Sequence, residues 1–373
     1  MRFCFLLLIF TVFFSCQKKT NVNVLHHDIP CVSLQSDIKL SQLMSDSFLI
    51  TPLETIDKSI LGRINKIKKY KGEFYILSND QWIFHFDEKG KYVSSLRKRG
   101  NAPDEYTYIN DFDIYDIDGI NQIWIADNQS IKIYNVDDLI YQREINFPFI
   151  VSKFKRLAKD EILIMNGTSD NSLFVVKETG EVVNEYLKKE IPYLLLRSIQ
   201  FKNYSSNLCL FQLGISNDFV SYNIDSKNFD SGIFFDEEEM LISKKGLKEL
   251  FEKKGQNFIM NFKDYKYIQS YFNLGNSTWF YIHDKEKKYM SKIVSGTSCV
   301  SVILYPENNL NNDLFDSNHF DFLTTLGFGE SDNSLLLYMD VSSFADSMDS
   351  LSLKSGQCLS IKEDDNPFII EFF

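Results

Sequence analysis

The chain has 373 residues, 44% of them hydrophobic and 24% charged, a globular balance that excludes wholesale disorder. Its formal charge is −11 and it has no large Lys/Arg cluster, which argues against nucleic acid as a partner, because binding a phosphate backbone needs a basic face. Aromatics reach 15%, with 33 Phe and 19 Tyr, concentrated in strand-like runs.

Met1-Arg2 opens the chain, Phe3 through Phe14 is almost wholly apolar, and Ser15-Cys16 closes the run ahead of Gln17-Lys18-Lys19. A membrane span needs about 20 apolar residues, so this shorter run reads as a secretory signal over residues 1–15. A small residue directly before Cys16 resembles a bacterial lipobox, with cleavage before Cys16 and lipid on its thiol; the other reading is an ordinary signal peptide with Cys16 incidental. Residues 16–30 then form a lipidated tether, polar and without apolar period over Gln17 to Asn23. Lys18 and Lys19 stand where surface-exported lipoproteins carry acids, which leans toward a periplasm-facing anchor in the cell envelope.

Residues 31–373 form one domain built on a recurring phrase. Glu73 to Asn79 is followed by Ile83 to Val93, Gln122 to Asn128 by Ile131 to Asn135 and Leu139 to Tyr141, and Glu161 to Gly167 by Leu173 to Val183. Each copy reads strand, polar turn, strand, Gly- or Asp-bearing turn, strand, with a spacing of roughly 40–50 residues, the period of propeller blades. The pattern predicts an all-β fold, a six-bladed β-propeller with blades over 62–100, 107–147, 150–190, 197–236, 266–305 and 320–373. A ring of blades has one seam whose edges would expose unpaired backbone groups, so residues 47–55 are expected to pair with the terminal strand Pro367 to Phe373 and close it. Between blades four and five, Leu241, Leu247, Leu250 and Phe251 recur at helical spacing. With Asp236 to Glu239 before them and Lys253, Lys254 and Gly255 after, they predict a helical insertion over 240–254, a packing element or a docking surface. A second short helix is expected over 342–352.

The runs Leu53-Glu54-Thr55, Ile64 to Ile67, Phe74 to Leu77, Phe86-Asp87, Gly90 to Val93, Arg99 to Tyr106, Ile109 to Asp113 and Asp365-Asn366-Pro367 resemble a family of six-bladed β-propeller lipoproteins from Gram-negative gut bacteria, related in architecture to NHL-repeat propellers. That family's loop reads Gly-x-Gly-Pro-Gly-Glu-Tyr, and here Ala102 and Asp104 replace two glycines. The resemblance implies the fold and implies no common reaction.

The loop 99–106 is the candidate binding site, since Arg99, Asp104, Glu105 and Tyr106 gather opposite charges and a phenol on one turn; its other reading is a tie between blades. Asp116-Ile117-Asp118-Gly119 lacks the downstream glutamate of a calcium loop and reads as a solvated turn. His26, His27, His85, His283 and His319 are too scattered for a metal pair, and Cys31, Cys209, Cys299 and Cys358 lack zinc spacing. Export permits a Cys31–Cys358 disulfide between the segments that close the ring, with buried thiols the alternative. No nucleophile elbow, Walker loop or dinucleotide fingerprint is present, so no cofactor, metal or catalytic residue is assigned.

Three functions remain open. The first is a membrane-anchored, non-catalytic binding or scaffolding propeller for a glycan, peptide or envelope protein. The second is a metal-dependent lyase or hydrolase centred on the channel, of the kind NHL-like propellers host. The third is a sensor or assembly partner docking through the helical insertion. Three convergent His or carboxylate side chains at the channel would favour the enzyme, and an aromatic funnel would favour glycan or peptide binding.

Overall fold

Antiparallel hairpins follow one another along the chain, and each group of four strands hydrogen-bonds into its own sheet. In this computed structural model the described residues are 47–157, 160–189, 364–373 and, outside these, the strands, helix and scattered residues named below. Sheet one comprises Ile64–Tyr70, Glu73–Ser78, Ile83–Phe86 and Tyr92–Leu96. Sheet two comprises Asp111–Ile117, Ile120–Asp127, Ser130–Asn135 and Tyr141–Asn146. Sheet three comprises Lys153–Arg156, Glu161–Met165, Asn171–Lys177 and Val182–Lys188. Sheet four holds Phe201–Ser205, Leu208–Gln212, Asp218–Asn223 and Asn228–Phe234, and sheet five Lys266–Leu274, Ser277–Asp284, Lys287–Val294 and Val302–Pro306. A sixth sheet runs in the order Leu326–Gly329, Leu335–Met339, Phe368–Phe372, Phe48–Pro52.

In sheets one, two and three the strands are nearly continuous apolar runs because each of these sheets is covered on both faces. Successive side chains point to opposite sides. In Phe74 to Leu77, Phe74 and Ile76 therefore pack with Leu336 and Ile369 of sheet six, while Tyr75 and Leu77 pack with Phe112, Ile114, Ile123 and Ile125 of sheet two. Trp124, Ala126, Ile131 and Ile133 leave the other face of sheet two against Phe154, Ile162 and Phe174 of sheet three. Leu163, Met165 and Val175 continue the stack to Phe201 and Tyr222 of sheet four. Each such buried side chain contributes roughly 1.5–3 kcal/mol. The result is a propeller-like succession of face-packed sheets.

Phe368–Phe372 lies between Leu335–Met339 and Phe48–Pro52, with Ile370 opposite Ile50, so the two ends of the chain share one sheet as expected. Asn366 locks the junction. Its amide Nδ2 donates to the carbonyls of Glu54 and Ser59, its Oδ1 accepts from the Leu61 N–H, and its own N–H donates to Thr55 Oγ1. Two glycines show the same close approach elsewhere. Gly90 has φ +78 with its Cβ position 2.1 Å from Pro52 O, and Gly180 has φ +88 with its Cβ position 2.4 Å from Asn146 O. Each sits in the last hairpin turn of a sheet, against an outer strand of a neighbouring sheet.

Ahead of residue 47 the chain adds short parallel strands. Within the expected tether, Leu25–His26 pairs with Ile233–Phe234 on the outer edge of sheet four. Val32–Leu34 pairs with Val302–Leu304 on sheet five, and Ile38–Lys39 with Leu310–Asn311.

The helical insertion spans Lys244–Lys254, starting later than the expected residue 240. Leu247, Leu250 and Phe251 fall on it, Lys253 and Lys254 occupy its last turn, and Gly255 ends it in the left-handed region at φ +55. Its first turn contains no acidic residue, so apolar period and the glycine stop mark this helix better than the acids at 236–239, which lie outside the described residues. The second helix expected over 342–352 is corrected at its end. Ser350–Ser352 is a strand paired antiparallel with Cys358–Ser360, Leu351 opposite Leu359, because alternate polar and apolar residues have the period of a strand. Residues 342–349 lie outside the described residues.

Candidate functional site

The loop 99–106 divides into an outer and an inner half. Arg99 and Asp104 are exposed, whereas Glu105 is half-buried and Tyr106 fully buried. Tyr106 packs between sheets one and two and donates its hydroxyl to the carbonyls of Gln81 (2.7 Å) and Leu96 (3.1 Å). Burial pushes its pKa above the ordinary phenol value. Glu105 curls back on its own turn, accepting from the Ala102 N–H at 2.9 Å. A side chain on Gly100 would overlap that carboxylate. Arg99 donates from Nε to Thr107 O at 3.2 Å, and Asp104 lies 3.4 Å from the Lys98 ammonium. The four residues form one turn, but only Arg99 and Asp104 are presented to solvent.

A second constellation lies where the first strands of the sheets meet. Lys66 and Lys68, Asp111 and Asp113, and Lys153 and Lys155 are (i, i+2) pairs, so both members of each pair leave the same side of their strand. Glu330 follows Leu326–Gly329 and is bridged to Ile64–Tyr70, its N–H donating to Ile67 O and its carbonyl accepting from the Lys69 N–H, both at 2.8 Å.

The charges form two tiers. In the tier nearer the loops that enter sheets two and three, Asp111 Oδ1 takes Lys66 Nζ at 2.9 Å and Lys153 Nζ at 3.6 Å. In the other tier, Asp113 meets Lys68 and Lys155, each at 3.2 Å, and Glu330 meets Lys68 at 2.7 Å and Lys155 at 3.4 Å. Lys66 also reaches Glu330 at 3.5 Å, joining the tiers. Tyr115 donates its hydroxyl to Asp113 at 2.8 Å and accepts the Arg156 N–H.

Burial opposes the charges of Glu330, Asp113 and Lys66, and the pairing outweighs it at all three. Despite burial, Lys68, Lys155 and Lys66 hold the Glu330 carboxyl well below its ordinary value, and Lys155 and Lys68 lower Asp113. Lys66 is raised, because Asp111, Glu330 and Asp113 together overcome its desolvation. Lys153 goes the other way. Burial is its largest influence and lowers its pKa, with Asp111 only partly opposing.

These residues were not singled out from the sequence, although a signal existed: Lys-x-Lys, Asp-x-Asp and Lys-x-Lys open three consecutive repeats at the same phase. As metal ligands the three carboxylates do not fit, since each already faces two or three ammonium groups that a cation would have to displace. Among the described residues no group of three or more His, Cys, Asp or Glu has metal-binding geometry.

Elsewhere, Asp116 Oδ1 accepts from the Gly119 N–H and Oδ2 pairs with Lys71, the turn expected there. His85 is buried, stacks on Tyr75 and lies 2.9 Å from Glu73. Cys358 is exposed, while Cys16 and Cys31 lie outside the described residues. Among the described residues no helix is long and apolar enough to cross a membrane.

The chain belongs to the family DUF4934, a domain of unknown function whose model matches residues 25–372. No curated protein matches it in sequence. Among solved structures it is similar to the "Putative exported protein" of Bacteroides fragilis NCTC 9343, with a TM-score of 0.70 and 15% identity over 91% of this chain and 98% of that one. At that identity the likeness is one of fold. Slighter likenesses, on which no argument rests, extend to a DUF4221 member from Bacteroides vulgatus (TM-score 0.47, 9% identity, 88% and 96% covered) and to the Cps50 (Swd1) β-propeller domain of Myceliophteria thermophila (TM-score 0.40, 10% identity, 87% and 100% covered).

Proposed function

We propose that this protein is an exported, non-catalytic binding scaffold: a six-bladed propeller, closed where Phe48–Pro52 joins Phe368–Phe372, and held at the cell envelope by lipid on Cys16. The observation that carries the non-catalytic reading is the state of the axis. Asp111, Asp113 and Glu330 are each saturated by lysines, and general bases or metal ligands need a carboxylate with an open lone pair toward substrate. Closure of the ring is supported by the repeated glycine contact. Gly180 of sheet three sits against the outer strand of sheet two, and Gly90 of sheet one sits in the same way against Phe48–Pro52. Sheet six therefore stands to sheet one as sheet two stands to sheet three.

In this reading, Tyr106 and Glu105 hold the 99–106 loop rigid while Arg99 and Asp104 face a glycan, peptide or envelope protein. Rigid loops on a rigid frame bind with little ordering cost. The test is saturable binding of the mature chain to arrayed glycans and to envelope proteins identified by cross-linking. Charge reversal at Arg99 and Asp104 together should weaken binding at least tenfold with the melting temperature unchanged. Binding that is indifferent to that reversal removes the loop from the proposal, and turnover of a bound glycan or peptide removes the non-catalytic reading. Incorporation of labelled fatty acid that persists in Cys16→Ala would remove the anchor.

A further inference from the structure

We infer that the protein meets the bilayer edge-on, through the outer strands and turns of sheets three and four, so that the 99–106 loop stands clear of the lipid. The inference rests on the lipid anchor proposed above and names the surface that faces the membrane.

The argument begins with the course of the chain ahead of the sheets. Leu25–His26 is hydrogen-bonded in parallel to the outer strand of sheet four, Leu25 opposite Ile233 and His26 opposite Phe234. Val32–Leu34 and Ile38–Lys39 are paired in parallel further on. A segment held in three places is a strap, so the free length ahead of it ends at Leu25. From Cys16 to Leu25 is nine residue steps, at most about 30 Å of extended chain.

Direction decides the side. Gly90, in the last turn of sheet one, abuts Pro52 at the end of Phe48–Pro52, and Gly180, in the last turn of sheet three, abuts Asn146 at the end of Tyr141–Asn146. The end of one outer strand thus meets the start of the next, and the outer strands follow one another along a rim in chain order. A strap parallel to the outer strand of sheet four runs the same way, so it reaches Leu25 from the side of sheet three. Counted back in register from Leu25 opposite Ile233, Cys16 comes level with the turn 224–227 that precedes Asn228–Phe234. Gln17 to Val24 contains no Gly or Pro, the residues that most readily reverse a chain.

The surface at that place joins the two sheets. Lys227 of the turn 224–227 pairs with Glu161 of sheet three at 2.6 Å. Beside it lie the turn 178–181 and the outer strand Val182–Lys188, on which Val183 is 38% exposed. Lys177 and Lys227, the basic residues at these two turns, are each paired with a carboxylate, so attraction to anionic lipid does not choose this side. The short, directed strap does. The 99–106 loop lies in the crossing from sheet one to sheet two, away from the point where the anchor emerges.

The experiment places the lipidated chain on phosphatidylcholine liposomes containing a lipid with a photoactivatable headgroup, and maps the adducts by mass spectrometry. Adducts should fall within 178–188 and 224–227 and be absent from 97–110, with and without added anionic lipid. Inserting about 30 Gly and Ser residues after Lys19, roughly 30 Å of added mean reach, should abolish them while the chain still floats with the liposomes. Adducts at 97–110, adducts spread evenly over the molecule, or adducts that survive the insertion overturn the inference. A chain that does not float removes the anchor of the reading above. The course of the strap is then read on the soluble chain beginning at residue 16, its α-amine carrying a photo-crosslinker: links to 178–188 or 224–227 keep it and links to 97–110 overturn it. Adducts in the expected places on a chain that binds no glycan, peptide or envelope protein keep the orientation and remove only the binding reading.

Discussion

Lys155 and Glu330 stand 175 residues apart in the chain, and the Lys155 ammonium lies 3.4 Å from a Glu330 carboxylate oxygen where sheets one, two, three and six converge. Glu330 faces Lys66 and Lys68 as well, so removing its charge takes one carboxylate from three buried cations at once, leaving Asp111 to Lys66 and Asp113 to Lys68 and Lys155. Glu330→Gln is expected to cost about 3–5 kcal/mol, the range for breaking one side of a buried ion pair. Lys155→Met in the same background should cost less than it does alone, with a coupling of about 0.5–3 kcal/mol. Urea unfolding of the four proteins measures this, and additive losses would show that the two groups do not interact.

The same network sets the acid stability. Glu330 and Asp113 have carboxyl pKa values below their unfolded ones. Groups of that kind contribute stability that is present above the unfolded carboxylate pKa of about 4 and is lost as pH falls through the folded value. Stability should therefore hold level from neutrality down to about pH 5 and fall steeply below it. Lys66, raised in the fold, adds stability that is present below the ordinary lysine pKa and lost as pH rises through its folded value. Melting temperature measured against pH should show both limbs, and Glu330→Gln should flatten the acid one; an unaltered acid limb would assign it to other carboxylates.

Three glycines with similar backbones separate strain from contact. Gly119 has φ +83 and nothing within 4 Å of its Cβ position, whereas Gly90 and Gly180 would drive a methyl group into Pro52 O and Asn146 O. Gly119→Ala should cost about 1 kcal/mol from the left-handed backbone alone. Gly90→Ala and Gly180→Ala should cost about 2–4 kcal/mol, the backbone strain plus overpacking. Equal melting temperatures for all three variants would mean that the neighbouring strands give way without cost.

Asn366 joins the beginning of the described core to its end, binding Glu54, Thr55, Ser59 and Leu61. Asn366→Ala should lower stability by about 2–4 kcal/mol, several buried hydrogen bonds at once, while unfolding stays cooperative. Deleting residues 366–373 removes the strand between Leu335–Met339 and Phe48–Pro52 and should abolish cooperative unfolding. A truncated chain that melts like the parent would show that this sheet is dispensable.

What the sequence by itself determined is the part of the structure that repeats locally. Strand period, turn glycines and apolar runs such as Phe74 to Leu77 place three strands of each repeat to within a few residues, because alternation and turn chemistry act over neighbouring positions; each sheet's fourth strand came only with the structure. The pairing of Phe48–Pro52 with Phe368–Phe372 was also legible, since a sheet edge left open exposes unpaired backbone groups. In the 99–106 loop, the residue types were visible but not their division into exposed Arg99 and Asp104 and buried Tyr106, which depends on the packing of sheet two against sheet one. The strands at 25–26, 32–34 and 38–39 are too short to carry a period and exist only through the edges they join. Only the tertiary structure decided the charge cluster of Lys66, Lys68, Asp111, Asp113, Lys153, Lys155 and Glu330. Alone, Lys-x-Lys or Asp-x-Asp at a strand start reads as a solvated face; burial and opposite charge from strands more than 40 residues away turn it into a paired interior, and no local pattern encodes which distant charge will arrive.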